Sequence, residues 1–356
     1  MNHISPNPEI IDRYYQTEAA ASVMACLEMP GKRQAMVAMA PGTGKTRLGV
    51  SIVDMFLRAK WVSRVLYLVD HIILVEQVER VFNQYLPHIP VSNVLDKGQV
   101  VCTTDIAVMD QIYGAGKVFS NNSDMGCFDL IIVDGMVCGQ QKYKVIIDYF
   151  DSILLALTTV PFGQPEEKID QIFGSDIQQS IYDYDLAKAI RDGFVVPPSV
   201  ISVPHQFPRK DLNITVQVDE EYAEKFDDLA VDAVLSNWLF NEKNISKALT
   251  HLMENGLKAQ GDNRLGKTLI FALSAKHAEF IVEQFNQCFP FLPGEFCCQI
   301  NDLSPETQRV INDFQLPDQY PQIIVSAGLL DAGVNIPALL NLVFLKSVHT
   351  QEKLWQ

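Results

Sequence analysis

Residues 39–46 read Met-Ala-Pro-Gly-Thr-Gly-Lys-Thr, between an apolar run from Gln34 to Ala40 and an amphipathic stretch that opens at Thr46. Strand, glycine-bearing turn, helix is the setting of a phosphate-binding loop, and it commits the chain to an α/β fold. Gly42 and Gly44, with Thr43 between them, let backbone N–H groups turn inward around an anion. Lys45 supplies a point charge for β- and γ-phosphates, and Thr46 offers a hydroxyl to Mg²⁺. Leu48, Ile52, Met55, Phe56 and Ala59 share one face of the following segment. The segment therefore predicts a helix whose N-terminus, the positive end of its dipole, points at the phosphates. Met39 stands where the pattern usually has glycine.

A second match fits the strict G-x-x-x-x-G-K-[ST] pattern better: Gly261-Asp-Asn-Arg-Leu-Gly266-Lys267-Thr268. Its surroundings run in the wrong order. A helical pattern (Ala248, Leu249, Leu252, Met253, Leu257) comes before it and an apolar strand, Leu269 to Leu273, comes after it. No helix dipole would face the loop, and the segment reads as a helix-to-strand connector.

The rest of the chain fits this α/β reading. With 356 residues, 48% of them hydrophobic, it can bury two domain cores. Seven cysteines are scattered without a CxxC pair, and seven histidines show no ligand spacing, which points to a reduced, zinc-free, cytoplasmic protein. The amino terminus carries no basic-plus-apolar signal, and no apolar run reaches membrane-spanning length, so no membrane partner is expected. A net charge of −15 argues against a globally basic nucleic-acid surface, while leaving room for a local groove that holds phosphates.

Short β-rich runs follow the loop at Val65–Val69, Val100–Thr104, Leu130–Asp134 and Ile153–Thr158, separated by helical patterns at Ile72–Leu86, Ile106–Tyr113 and Lys142–Phe150. Alternating βα units predict a parallel sheet covered on both faces. A second series comprises a strand at Leu269–Leu273, a helix at Lys276–Phe289, a strand near Phe296–Ile300, a helix begun by Ser304-Pro305-Glu306, and strands at Gln322–Ser326 and Leu342–Leu345. Between the two series lies Val195–Lys210 with Pro197, Pro198, Pro204 and Pro208, which suits neither a central strand nor a helix interior. The domain change is placed there, giving residues 1–196 and 197–356. The acidic stretch from Asp219 to Asp228 reads as a solvated helix face.

Phosphate loops are widely shared, so the remaining motifs must choose among their users. Arg13-Tyr-Tyr-Gln16 precedes the loop by about one helix, and the Gln16 amide can pair with the donor–acceptor edge of adenine. Phe128-Asp-Leu-Ile-Ile-Val-Asp134 is an apolar strand ending in a carboxylate, the place of an aspartate that holds Mg²⁺ through water. Leu157-Thr158-Thr159-Val160-Pro161 closes another strand. In this order the motifs resemble superfamily 2 helicase motors. Tyr182-Asp-Tyr-Asp-Leu-Ala-Lys-Ala-Ile-Arg-Asp-Gly-Phe-Val-Val-Pro-Pro198 is similar to the segment after the third motif of type I restriction-enzyme R subunits. Ile323 to Pro337 resembles the fifth motif, and Leu342-Val-Phe-Leu-Lys-Ser-Val the strand before the sixth.

The resemblance implies two tandem RecA-like domains, the second incomplete. It also implies MgATP held by Gln16, Gly42, Thr43, Gly44, Lys45, Thr46 and Asp134, with Thr46 and Asp134 at the metal. Nucleic-acid backbone would lie near Thr103, Thr104, Thr158, Ser274 and Ser326, although hydroxyls at strand ends also cap helices. Duplex DNA and the specificity and methyltransferase subunits of a restriction complex are the implied partners.

Several positions depart from the family. Where it has Asp-Glu-x-His, this chain has Asp134-Gly135-Met136-Val137, so the glutamate that would orient the attacking water is missing. Val160 replaces the last hydroxyl of the third motif, Gly328 and Asn335 stand at positions that usually carry aspartate, and His71 replaces an arginine after Asp70. The sequence ends at Gln356, before a Gln-x-x-Gly-Arg-x-x-Arg motif, and 38 residues precede Met39, too few for an upstream nuclease domain. The expectation is a DNA translocase ATPase lineage with impaired hydrolysis, in which Gly135→Glu gives a modest gain. Its rival is a nucleotide-binding module without turnover that acts through partners. A small-molecule kinase would need an arginine-rich lid and an extra substrate domain, and neither is visible.

Overall fold

The computed structural model describes residues 4–95, 97–113, 127–135, 141–159, 180–197, 199, 239–259, 263–302, 304–330 and 336–346. Val160, Asn335, Gly261, the acidic stretch 219–228 and most of the proline-bearing segment 195–210 lie outside the described residues. The chain divides at Pro197 and Pro198 into two compact units.

The first unit opens with α1 (Tyr14–Leu27), followed by β1 (Gln34–Met39), α2 (Lys45–Arg58), β2 (Val65–Val69) and α3 (Ile72–Tyr85). Next come β3 (Val91–Ser92), β4 (Val100–Thr104), α4 (Asp105–Tyr113), β5 (Leu130–Asp134), α5 (Gln141–Tyr149), β6 (Ile153–Thr158), β7 (Tyr182–Tyr184) and α6 (Leu186–Arg191). The strands form one sheet in the order β3-β4-β2-β5-β6-β1-β7, and every pairing is parallel.

Both faces of this sheet are covered, which is why β2, β4 and β5 are buried along their whole length and read as unbroken apolar runs. Alternation along the strands still sorts the side chains. Val65, Tyr67 and Val69 join the core that includes Leu48, Ile52 and Phe56 of α2, while Leu66 and Leu68 join the core with Val108 of α4 and Tyr143 and Ile146 of α5. The apolar periodicity of α2 therefore has its partner in one face of the sheet, and that packing fixes the helix behind the loop.

The second unit contains α7 (Glu242–Asn255), β8 (Lys267–Ala272), α8 (Ala275–Cys288), β9 (Cys297–Ile300), α9 (Pro305–Phe314), β10 (Ile323–Ser326) and β11 (Leu339–Leu345). Its sheet runs β11-β8-β10-β9, again parallel throughout. The Ser304 side chain accepts from the Thr307 N–H with Pro305 at the first helical position, the start signal read from sequence. β8 begins two residues earlier than its apolar run suggests, because Lys267 is buried in the strand and its ammonium donates to the carbonyls of Gln319 and Pro321. The strict-pattern loop is thus a connection from α7 to β8, and its lysine is consumed inside the sheet.

Candidate functional site

β1 ends at Met39, the chain turns, and α2 starts at Lys45 with Gly44 as its N-cap at φ 88°. A left-handed cap is open to glycine at little cost, and it turns the first N–H groups of the helix toward the space above the strand ends. Ligands of open parallel sheets bind at this carboxyl edge. The loop is braced from within: the Thr43 hydroxyl donates to the Ala40 carbonyl at 2.6 Å, and the Lys45 ammonium donates to the carbonyls of Met39 (3.2 Å) and Ala40 (3.3 Å).

Asp134, at the end of β5, is brought to Thr46 across the sheet edge. The Thr46 hydroxyl donates to Asp134 Oδ2 at 2.7 Å, and the Tyr67 hydroxyl donates to the same oxygen at 2.8 Å. Burial and the neighbouring Asp134 charge hold the Tyr67 phenol well above its ordinary range, so it remains a donor. A hydroxyl and a carboxylate side by side at the start of the loop helix form a hard oxygen pair. Together with the glycine-bearing loop they fit Mg²⁺ and a nucleoside triphosphate.

Gln16 is buried, and its amide nitrogen donates to the carbonyls of Thr43 (3.0 Å) and Gly44 (3.3 Å), while its Oε1 is buried without a partner. The amide therefore engages the loop backbone, a contact the motif reading did not include. Tyr15 was missed as well. Its hydroxyl donates to the Thr43 carbonyl at 2.9 Å, and its ring stacks on Tyr184 with centroids 3.9 Å apart. The Tyr184 carbonyl in turn accepts from the Ala40 N–H at 2.8 Å, joining β7 to the loop. The sequence signal was the pair Tyr14-Tyr15 before Gln16, but only packing shows which ring turns inward.

The five hydroxyls assigned to nucleic-acid backbone are placed at strand ends and buried or helix-capping. Thr104 Oγ1 accepts from the Ala107 N–H, Ser274 Oγ from the His277 N–H and Ser326 Oγ from the Leu330 N–H. Thr103 and Thr158 are buried. Ser274 and Ser326 belong to the second unit.

Asp70 follows β2 beside Gly135, and burial raises its carboxyl above the ordinary value. Its Oδ1 is buried without a hydrogen-bond partner. Gly135 has φ 86°, and a Cβ added there would lie 3.8 Å from that oxygen. Among the described residues no cluster of three or more His, Cys, Asp or Glu side chains could hold a metal by itself, and no helix is long and apolar enough to cross a membrane.

Burial lowers the Lys45 ammonium to about 8, partly offset by the Asp134 charge. The charged form is disfavoured in the fold, so Lys45 lowers stability below that pH and the cost is relieved as pH rises toward its unfolded value of 10.5. Phosphate binding at Lys45 would have the opposite requirement, since it would need the ammonium. Affinity for a fluorescent ATP analogue is expected to be level near neutral pH and to fall as pH rises through 8, approaching about tenfold per pH unit. A profile that stays level well above pH 8 would mean that Lys45 does not carry the phosphate contact.

Residues 9–163 match the family model for the type III restriction enzyme res subunit. The type I restriction enzyme EcoKI endonuclease subunit of Escherichia coli strain K12 is 26% identical over 95% of this chain. The chain spans 32% of that relative's length. Among solved structures, the ATP-dependent type ISP restriction-modification enzyme LlaBIII bound to DNA superposes with a TM-score of 0.58 at 16% identity, over 96% of this chain and 26% of that one. The DUF1998 helicase MrfA bound to DNA and AMPPNP gives 0.57 at 15% identity, over 96% of this chain and 45% of that one. The two parallel α/β sheets are those of tandem RecA-like domains.

Proposed function

Because the chain is related in sequence and in fold to the helicase-like motors of restriction enzymes, we propose that it binds MgATP on the first unit and uses it in the motor of a restriction-type DNA translocase. The observation that carries this reading is the 2.7 Å hydrogen bond from Thr46 to Asp134 beside the Lys45 loop. It joins two motifs 88 residues apart in the chain into one oxygen pair at a helix N-terminus. Lys45 would exchange its two carbonyl partners for phosphate oxygens, the first N–H groups of α2 would receive the same anion, and Thr46 and Asp134 would hold Mg²⁺. Bound Mg²⁺ would neutralise charge developing on the phosphates. Gln16, Tyr15 and Tyr184 keep the loop in shape beneath the nucleotide.

Turnover is proposed to be slow, because Gly135 supplies no carboxylate to orient a water. The same observation favours a second reading, a nucleotide-binding module that acts through partners such as the other subunits of a restriction complex. ATP hydrolysis measured with and without duplex DNA separates the two: the motor reading expects DNA stimulation, and the module reading expects none.

DNA contact is proposed to be local and through the phosphate backbone. A chain of net charge −15 repels phosphates overall, so binding is expected to be weak, and contacts to the backbone make it indifferent to base sequence. With about three phosphates contacted, affinity would fall roughly 40-fold for a fourfold rise in salt. Fluorescence anisotropy on duplexes of unrelated sequence checks this, and salt-independent, sequence-specific binding would contradict it.

A further inference from the structure

We infer that Tyr67 is a positioning residue for the metal-holding carboxylate, and that Gly49 is glycine so that the Tyr67 hydroxyl can reach it. The inference rests on the MgATP reading above. Two hydroxyls converge on a single oxygen of Asp134: Thr46 and Tyr67 both donate to Oδ2. Two donors on one carboxylate oxygen fix the rotation of the group and leave Oδ1 to face the metal or its water. The Thr46 oxygen keeps its own lone pairs for the cation while its O–H remains on Asp134.

Tyr67 can aim the carboxylate because it is itself immobile. It is fully buried in β2, on the face packed against α2 and α3, and its ring meets Phe82 edge-on at 5.6 Å. To reach Asp134 the phenol passes beneath α2 at Gly49. A Cβ added there would lie 2.7 Å from the Tyr67 hydroxyl, 3.0 Å from the ring carbon Cε2 and 3.2 Å from Leu157 Cδ1. Glycine is a poor helix former, and a buried one in the second turn of α2 needs a reason. The phenol supplies it. The arrangement ties three elements to one oxygen: the loop helix through Thr46, the neighbouring strand β2 through Tyr67, and β5 through Asp134 itself.

The test is the Mg²⁺ dependence of nucleotide binding, read by titrating MgCl₂ into the chain with a fluorescent ATP analogue. Tyr67→Phe keeps the ring and its packing and removes only the O–H. The expected result is a rise of roughly 10-fold in the half-saturating Mg²⁺ concentration, as for loss of an outer-sphere partner of a metal ligand, with a much smaller change in affinity measured in EDTA. Gly49→Ala should shift the Mg²⁺ requirement in the same direction with the hydroxyl still present, because the methyl group displaces it. An unchanged Mg²⁺ requirement in folded Tyr67→Phe overturns the role of Tyr67 and leaves the nucleotide site standing. A parent chain whose nucleotide binding ignores Mg²⁺ overturns both the inference and the reading beneath it. Equal losses with Mg²⁺ and in EDTA would mark Tyr67 as a packing residue only, and the inference would fall.

Discussion

Lys45→Ala is expected to abolish binding of labelled ATP in an equilibrium assay, with affinity falling by about 100-fold or more. Truncating the charged member of a partly buried ion contact typically costs 2–5 kcal/mol, and about 2.8 kcal/mol already corresponds to 100-fold. Among the described residues, the Lys45 ammonium is the one directed at the Met39 and Ala40 carbonyls of the loop. Lys267→Ala is the contrasting variant. It removes donors from the carbonyls of Gln319 and Pro321 and should destabilise the second unit, yet leave nucleotide affinity unchanged. Parent-like binding by Lys45→Ala would dismiss the site, and a specific loss in folded Lys267→Ala would move it to the other loop.

The second large effect concerns turnover. Positioned acid–base catalysis is typically worth about 10²–10⁴-fold, so a site without the water-orienting carboxylate should hydrolyse bound ATP slower by that order than a complete one. Motif reading alone makes Gly135→Glu a modest gain of function. The backbone changes that expectation. Gly135 has φ 86°, a conformation that side-chain-bearing residues rarely adopt, and the new side chain would start 3.8 Å from Asp70 Oδ1, placing a second carboxylate against a buried one. Gly135→Glu is therefore expected to lower the melting temperature and to leave single-turnover hydrolysis within about threefold of the parent, far short of that 10²–10⁴-fold range. Full recovery of turnover in this variant, or brisk DNA-stimulated hydrolysis by the unmodified chain, would overturn the account of Gly135.

Much of the first unit could be read directly from the chain because its signals are local. An apolar run ending in Gly42-Thr43-Gly44-Lys45-Thr46 and continuing with a helical stripe specifies strand, turn and helix within a few residues. Alternating units of that kind leave few topologies besides a parallel sheet. The signal around Gly261–Thr268 is local too, since the order helix-then-strand is written on either side of it. β7 was not legible as a strand: Tyr182–Tyr184 is three residues long, without an apolar run, and pairs with β1 because Ala40 and Tyr184 share a backbone hydrogen bond.

Sequence by itself marked the side chains that meet at the candidate site, Lys45, Thr46 and Asp134, each by its place after a strand or turn. It could not determine what those side chains do to one another. That Tyr67 and Thr46 share one oxygen of Asp134 and that Gly135 lies beside Asp70 depend on the register of β2 against β5, and that Gln16 and Tyr15 brace Thr43 depends on the packing of α1 against the loop. The physical reason is range. Periodicity and turn chemistry act over a few residues and leave their mark in the sequence, whereas a hydrogen bond across a sheet edge is set by pairing such as Val69 opposite Asp134, which only the folded packing of both faces decides.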